Sequence, residues 1–210
     1  MPINPQFPYP LYLVISEQDC YPWPWLQVAE EAIIGGVDII QLREKNETPE
    51  RFLAKAKKLK QITDHYGIPL VINDAVDIAI EVEAWGVHVG QQDCQPIDIR
   101  KKYGHNMHIG WSLENIVQLE SEQMAAADHL GVSPIYSTKT KPDTLTEWGI
   151  NGLRQLRELT EKPLIAIGNM NIDTLTAAWQ AGANSIAVVS AICQSKDPRQ
   201  SSAQLKELLT

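Results

Sequence analysis

The sequence has little cysteine, no long apolar run and no excess of basic charge, and each shortage excludes something. Only Cys20, Cys94 and Cys193 occur in 210 residues. Odd in number, far apart and without metal-ligand spacing, they read as reduced thiols of a cytoplasmic protein. No apolar stretch approaches the ~20 residues that a membrane-spanning helix needs. The start, Met1-Pro2-Ile3-Asn4-Pro5, lacks a basic region followed by an apolar run, so no secretory signal is expected. A net charge of -8 argues against general binding of nucleic acid or a membrane surface. Any phosphate site must therefore be a local positive pocket in an acidic protein.

What is present is a regular alternation of short apolar runs and helical periodicity. Residues 1–10 carry four prolines and read as an irregular arm laid on the surface. Beyond them, strands are expected over 11–15, 37–42, 70–72, 86–90, 107–110, 128–132, 163–167 and 183–189. Helices are expected over 25–34, 48–65, 75–82, 96–103, 113–124, 150–159, 173–180 and 201–209. Strict alternation of this kind makes right-handed βαβ units around a parallel sheet. Eight units close into a single (β/α)8 TIM barrel with parallel strands over 11–210, with a doubly wound open sheet as the alternative. Against the open sheet, no Gly-x-Gly-x-x-Gly follows the first strand. The run from Ser133 to Trp148 has no periodicity and is long enough to be a functional loop.

In such a barrel, ligands bind at the carboxyl ends of the strands, and there the polar residues gather. Gln41, Arg43 and Lys45 follow strand two and share one face, while Leu42 and Glu44 point the other way. Two cations beside an amide suggest an anionic ligand. Asn73 and Asp74 follow strand three, Asp93 strand four and Ser112 strand five; the strand-six loop adds Thr138, Thr140 and Lys141. Asp74 and Asp93, on neighbouring strands, suit Mg2+, which keeps several waters and completes its shell with phosphate oxygens. The plainer reading of each alone is a helix cap. Strands seven and eight end in Gly168-Asn169 and Val189-Ser190, where barrels commonly hold a phosphate.

Five segments in order, Gln41-Leu42-Arg43-Glu44-Lys45, Asn73-Asp74, Gly86 to Asp93, Thr138-Lys139-Thr140-Lys141 and Ala187 to Ile192, together resemble the thiamine-phosphate synthase family over nearly the whole chain. The resemblance implies a barrel enzyme that joins 4-amino-2-methyl-5-pyrimidinylmethyl diphosphate to a thiazole phosphate, releasing diphosphate. It implies that Gln41 orients the pyrimidine and that Arg43, Lys45, Asn73, Ser112 and Lys141 hold the diphosphate. Arg43, Lys45, Ser112 and Lys141 are then the catalytic set, and Asp74 and Asp93 bind Mg2+. Thr138, Thr140, Asn169, Val189 and Ser190 hold the thiazole phosphate, and the neighbours Leu42, Glu44 and Lys139 fall within the substrate-binding segments. By alternation, Leu42 reads as core and Glu44 as an ion-pair partner of Arg43 or Lys45. Closure of the loop from Ser133 to Trp148 would keep water from a cationic intermediate.

Three positions depart from the family pattern: Asn169 replaces a glycine, Ser137 a proline, and Glu114 a histidine. The last separates the nearest rival, a thiazole tautomerase-like barrel that resembles a protein using a histidine there for proton transfer. A non-catalytic barrel that binds a thiamine precursor is the third reading, and the two carboxylates argue against it. His88, within strand four, reads as a packed, hydrogen-bonded residue. Small-molecule substrates are the expected partners. A homo-oligomer is left open, because six tryptophans and an Ala-rich helix suit an interface and a core equally.

Overall fold

The alternation resolves, in a computed structural model that describes residues 4–137 and 147–209, into eight parallel strands closed into a barrel. The strands are β1 (Leu11–Ile15), β2 (Ile39–Leu42), β3 (Leu70–Asn73), β4 (Gly86–Val89), β5 (His108–Leu113), β6 (His129–Val132), β7 (Leu164–Ile167) and β8 (Ser185–Val188). Each pairs with its sequence neighbours, and β8 returns to β1. The helices are α1 (Glu17–Cys20), α2 (Trp25–Ile34), α3 (Pro49–Tyr66), α4 (Val76–Glu81), α5 (Pro96–Tyr103), α6 (Glu122–Ala126), α7 (Gly149–Leu159), α8 (Leu175–Gln180), α9 (Ser190–Cys193) and α10 (Pro198–Glu207). This is the (β/α)8 TIM barrel expected from the sequence. Among the described residues, no helix is long and apolar enough to cross a membrane.

Period-two alternation sorts the apolar strand residues into two cores, with β4, β5 and β6 contributing only to the outer one. Leu11, Leu13, Ile40, Leu42, Leu70, Ile72, Val87, Ile109 and Leu130 face the helices in one large cluster. Tyr12, Val14, Ile39, Val71, Ile165 and Ala187 form the smaller cluster inside the barrel. The helices start and stop on local signals. Thr48 caps α3 through the Arg51 N–H, Pro49 opens it, and Gly67 closes it in the left-handed region at φ 67.

Three local expectations need correction. The helix over 113–124 is not formed. β5 instead continues through Trp111, Ser112 and Leu113, and the chain then makes a 3-10 turn over Ile116–Glu120 before α6. Asn115 and Gln118 form a reciprocal capping box there, and Ser121 caps a fresh start, so local caps override the apolar periodicity. The final helix begins earlier than residue 201, because Asp197 accepts from the Gln200 N–H and Pro198 occupies the first turn. The N-terminal arm is irregular but is not simply laid on the surface. Phe7 is fully buried and its ring stands 4.9 Å from that of His129, 5.7 Å from His108 and 6.1 Å from Trp85.

The floor of the barrel is fastened by a repeated device. Asp38 Oδ2 accepts from the Leu11 N–H at 2.8 Å and pairs with Lys206. Asp128 Oδ2 accepts from the Ile109 N–H at 2.7 Å and pairs with Arg100 at 2.6 Å. Asn184 Oδ1 accepts from the Leu164 N–H at 2.9 Å and from Arg157. In each case a residue just before one strand satisfies an amide at the start of the preceding strand, and a cation holds the acceptor in place.

Truncating the buried Phe7 ring should destabilise the barrel as a whole. Phe7→Ala should lower the unfolding free energy by about 3 kcal/mol or more, read as a lower urea midpoint with an unchanged slope.

Candidate active site

The carboxyl ends of the strands surround a cavity of about 390 Å³, and a smaller one of about 100 Å³ lies beside it. β2 delivers Gln41, Arg43 and Lys45 to the larger cavity, β3 and its loop deliver Asn73 and Asp74, and β4 with its loop delivers His88, Gln91 and Asp93. Ser112 and Glu114 come from β5 and its end. Arg43 and Ser133 are the polar residues shared by both cavities.

Alternation places the β2 residues as expected, Leu42 on the core side included, and the one reading to correct is that of Glu44. Leu42 is fully buried among the residues facing the helices and does not line either cavity. Glu44 pairs with neither Arg43 nor Lys45. Its carboxylate accepts from the Glu17 N–H at 2.9 Å and meets Lys55 Nζ at 3.1 Å. Lys55 also reaches Glu17 and Glu47. Burial alone would lower this ammonium, but hydrogen bonds to Glu47, Glu17 and Glu44 hold it above the ordinary lysine range. Glu44 therefore anchors the end of β2 to the start of α1 and to α3. Two intervening residues of opposite face thus stiffen the segment whose other face carries the cations.

At the rim, Lys45 Nζ stands 2.6 Å from Asp74 Oδ2. Asp74 sits in the left-handed region at φ 62, rare for a non-glycine residue. Its N–H donates to the His88 carbonyl at 2.8 Å. Asp93 Oδ2 accepts from the Gly90 N–H at 2.8 Å. Burial pushes the Asp93 carboxyl up; the Gly90 hydrogen bond opposes this, the adjacent Asp74 carboxyl adds to it and Lys45 counters it. Two carboxylates so close repel unless a cation or a proton lies near. No three His, Cys, Asp or Glu side chains group as metal ligands among the described residues. The pair fits a hard cation that keeps waters and takes further oxygens from a ligand, and does not fit one that needs a full protein cage.

The smaller cavity is lined by the Gly168-Asn169 turn together with Arg43, Asp19 and Ser133. Gly168 and Asn169 are both left-handed, at φ 112 and 53, so asparagine adopts the conformation expected of it. Gly168 is also required sterically, since a Cβ there would stand 2.6 Å from Pro134 Cβ. Val189 and Ser190 line the same cavity, where α9 begins. Thr138, Lys139, Thr140 and Lys141 lie outside the described residues, as does most of the loop expected from Ser133 to Trp148. Its two ends are tied down: the Ile135 N–H donates to the Ile167 carbonyl at 2.9 Å and the Trp148 N–H to the Pro134 carbonyl at 3.0 Å.

Below the cavity, the barrel interior is polar in a way that sequence reasoning missed. His88, His108 and His129 all point inward on β4, β5 and β6. His88 Nε2 lies 3.0 Å from Ser112 Oγ, and His108 Nε2 lies 2.9 Å from His129 Nδ1. The inward position of His88 agrees with its reading as a packed, hydrogen-bonded residue; His108 and His129 carry no assignment from the sequence alone. The available signal is the spacing His108-Ile109-Gly110 beside His129-Leu130-Gly131, which sets a histidine and a glycine on one face of adjacent strands. Tyr12, whose hydroxyl accepts from Gln41 Nε2 at 3.0 Å, is a second residue that sequence reasoning missed.

The family described as thiamine monophosphate synthase matches residues 11–192. The chain belongs to the thiamine monophosphate synthase family. A thiamine-phosphate synthase of Albidiferax ferrireducens is 42% identical over 200 residues, covering 95% of this chain and 91% of that protein. One from Vibrio campbellii is 38% identical over 201 residues, covering 96% and 98%. A thiamine phosphate pyrophosphorylase structure from Pyrococcus furiosus superposes with a TM-score of 0.88 at 28% identity, covering 98% of both chains. Membership in the synthase family makes the chain an enzyme of thiamine biosynthesis.

The histidines beneath this synthase-family site have a measurable signature. Burial lowers His108 to about 4, against an opposing Asp128, and lowers His129 well below the ordinary range, with His108 and His88 adding to it. Both are neutral in the folded state and take up protons more readily when unfolded. Stability is therefore fully present above about pH 6.5 and falls as pH drops toward 4, by up to ~1.4 kcal/mol per pH unit for each histidine. Urea titrations at pH 7, 6, 5 and 4.5 should show this loss, with a smaller slope in His108→Gln.

Proposed function

We propose that the chain joins 4-amino-2-methyl-5-pyrimidinylmethyl diphosphate to a thiazole phosphate, giving thiamine phosphate and diphosphate in a Mg2+-dependent dissociative substitution. The observation that carries this reading is the pair of adjoining cavities with Arg43 on their common wall. One cavity has an amide, cations and paired carboxylates, as a diphosphate with its metal requires. The other has a left-handed backbone turn and a serine, as a single phosphate requires.

The chemistry asks little of the protein in proton transfer. The bond between the methylene carbon and the diphosphate oxygen breaks, and the diphosphate leaves with the electron pair. The aminopyrimidine stabilises the cation, and the thiazole nitrogen then supplies its lone pair to form the new C–N bond. No proton need move, which agrees with a site of charge clamps. Arg43, Lys45, Asn73 and Ser112 would meet the charge growing on the leaving group, while Gln41 orients the ring. Asp74 and Asp93 would hold Mg2+, which when bound supplies positive charge to the diphosphate oxygens. Lys45 must then leave Asp74 for the diphosphate. Thr138, Lys139, Thr140 and Lys141 complete the proposed substrate-binding set, with Lys141 on the diphosphate, and Asn169, Val189 and Ser190 take the thiazole phosphate.

Incubating the protein with both substrates and Mg2+ should yield thiamine phosphate and diphosphate, and chelation should stop it. No product, with tight binding of one substrate, would refute the synthase reading in favour of a binding barrel. Interconversion of thiazole isomers would favour a tautomerase, for which Glu114 lines the cavity as a carboxylate. Asp74→Ala and Asp93→Ala should each lower kcat/KM roughly a hundredfold or more with unchanged circular dichroism. Near-normal rates in both would remove the metal role.

A further inference from the structure

Ser112 is held from two sides. Its carbonyl accepts from Gln91 Nε2 at 2.6 Å, and its hydroxyl lies 3.0 Å from His88 Nε2. Beneath His88 the His129 ring follows, with centroids 5.6 Å apart and planes inclined by 30°, and below it His108 at 5.1 Å. His129 Nδ1 is 2.9 Å from His108 Nε2. His129 Nε2 is fully buried, with no hydrogen-bond partner among the described residues. A Cβ on Gly110 would collide with both His129 Nε2 and His88 Nδ1. Both nitrogens therefore border the space left by a residue that has no side chain. Trp85 stacks on His108 at 4.0 Å, and Phe7 closes the column below.

We propose that His88 is a positioning residue that donates its Nε2 hydrogen to Ser112 Oγ, so that the serine hydrogen points into the cavity at an oxygen of the leaving diphosphate. The assignment rests on the diphosphate reading of the larger cavity. A hydroxyl has one hydrogen. If Ser112 spends it on His88, only lone pairs face an anion. If His88 supplies the hydrogen, Ser112 becomes a donor to that anion, the stronger, charge-assisted arrangement. Packing fixes where the His88 ring stands: a Cβ on Gly110 would lie 2.4 Å from its Nδ1 and one on Gly131 2.8 Å from its Cε1, so the ring is held between two side-chain-free positions with Nε2 at the serine. The ring acts through Ser112, not on the substrate.

Nitrogen-15 spectra of histidine-labelled protein, without substrates, read the tautomer of each ring directly. The expected result is the Nε2–H form for His88. A hydrogen on His88 Nδ1 would overturn the proposal, whatever the outcome of the synthase assay. The second arm is calorimetric titration with inorganic pyrophosphate and Mg2+. Ser112→Ala and His88→Leu should each weaken binding about tenfold, and the double variant should be no worse than either alone. His88→Gln, which can place an N–H near the same point, should recover most of the loss. If His88→Leu costs as much in protein already carrying Ser112→Ala as it does with the serine in place, His88 only packs, and the positioning role fails.

Discussion

Closure of the sheet is the constraint from which the rest of this molecule follows. Eight strands leave an interior just wide enough for side chains, and only alternate residues can enter it. Every inward position is therefore either filling or function. Here the interior is filled by Phe7, Tyr12, Ile39, Val71 and Ile165, while the small residues Gly131 and Ala187 line the cavity. The glycines are not slack. At Gly110 and Gly131 any Cβ would enter the histidine rings, so imidazoles and missing side chains fit one another across neighbouring strands. His88 and His129 line the cavity from the space those glycines leave them.

A second consequence is how an acidic protein keeps cations at its mouth. Arg43 and Lys45 are carried on a strand end whose other face is anchored by Glu44 through Lys55. Attraction from the surrounding carboxylates is thereby directed into the scaffold. Among the described residues, Lys45 is the cation that contacts a carboxylate of the cavity. That contact is exposed and weakly held, and can exchange when a more highly charged anion arrives. The carboxylates of Asp74 and Asp93 and the Lys45 ammonium thus share one rim of the cavity.

Much of the barrel is legible in the sequence because its signals are local and periodic. Short apolar runs, helix caps and Gly or Pro punctuation locate the strands and most helices, and alternation correctly separates Gln41, Arg43 and Lys45 from Leu42. The misses fall where long-range packing decides. Phe7 sits in a proline-rich arm and has no periodic context; only the closed barrel offers it a hole. Sequence proximity pairs Glu44 with Arg43 or Lys45, whereas its partner lies on the next helix. Asn115, Gln118 and Ser121 break an apolar pattern that looks helical. His108 and His129 fall on strands with no obvious chemistry, and their meaning arises from register across the sheet, which a single strand does not display. The positions from Thr138 to Lys141 rest on resemblance, not on geometry.

The clasps made by Asp38, Asp128 and Asn184 lie at the end of the barrel opposite the cavity. Each joins a pair of strands, β1 to β2, β5 to β6 and β7 to β8, and each recruits a cation from a helix that packs outside. Substitution at the mouth leaves these three fastenings intact. The architecture thus separates two inheritances along one axis: a lower ring that preserves the shape, and an upper ring of loops that can be rewritten. A chain built this way can change the molecule it accepts without first having to relearn how to fold.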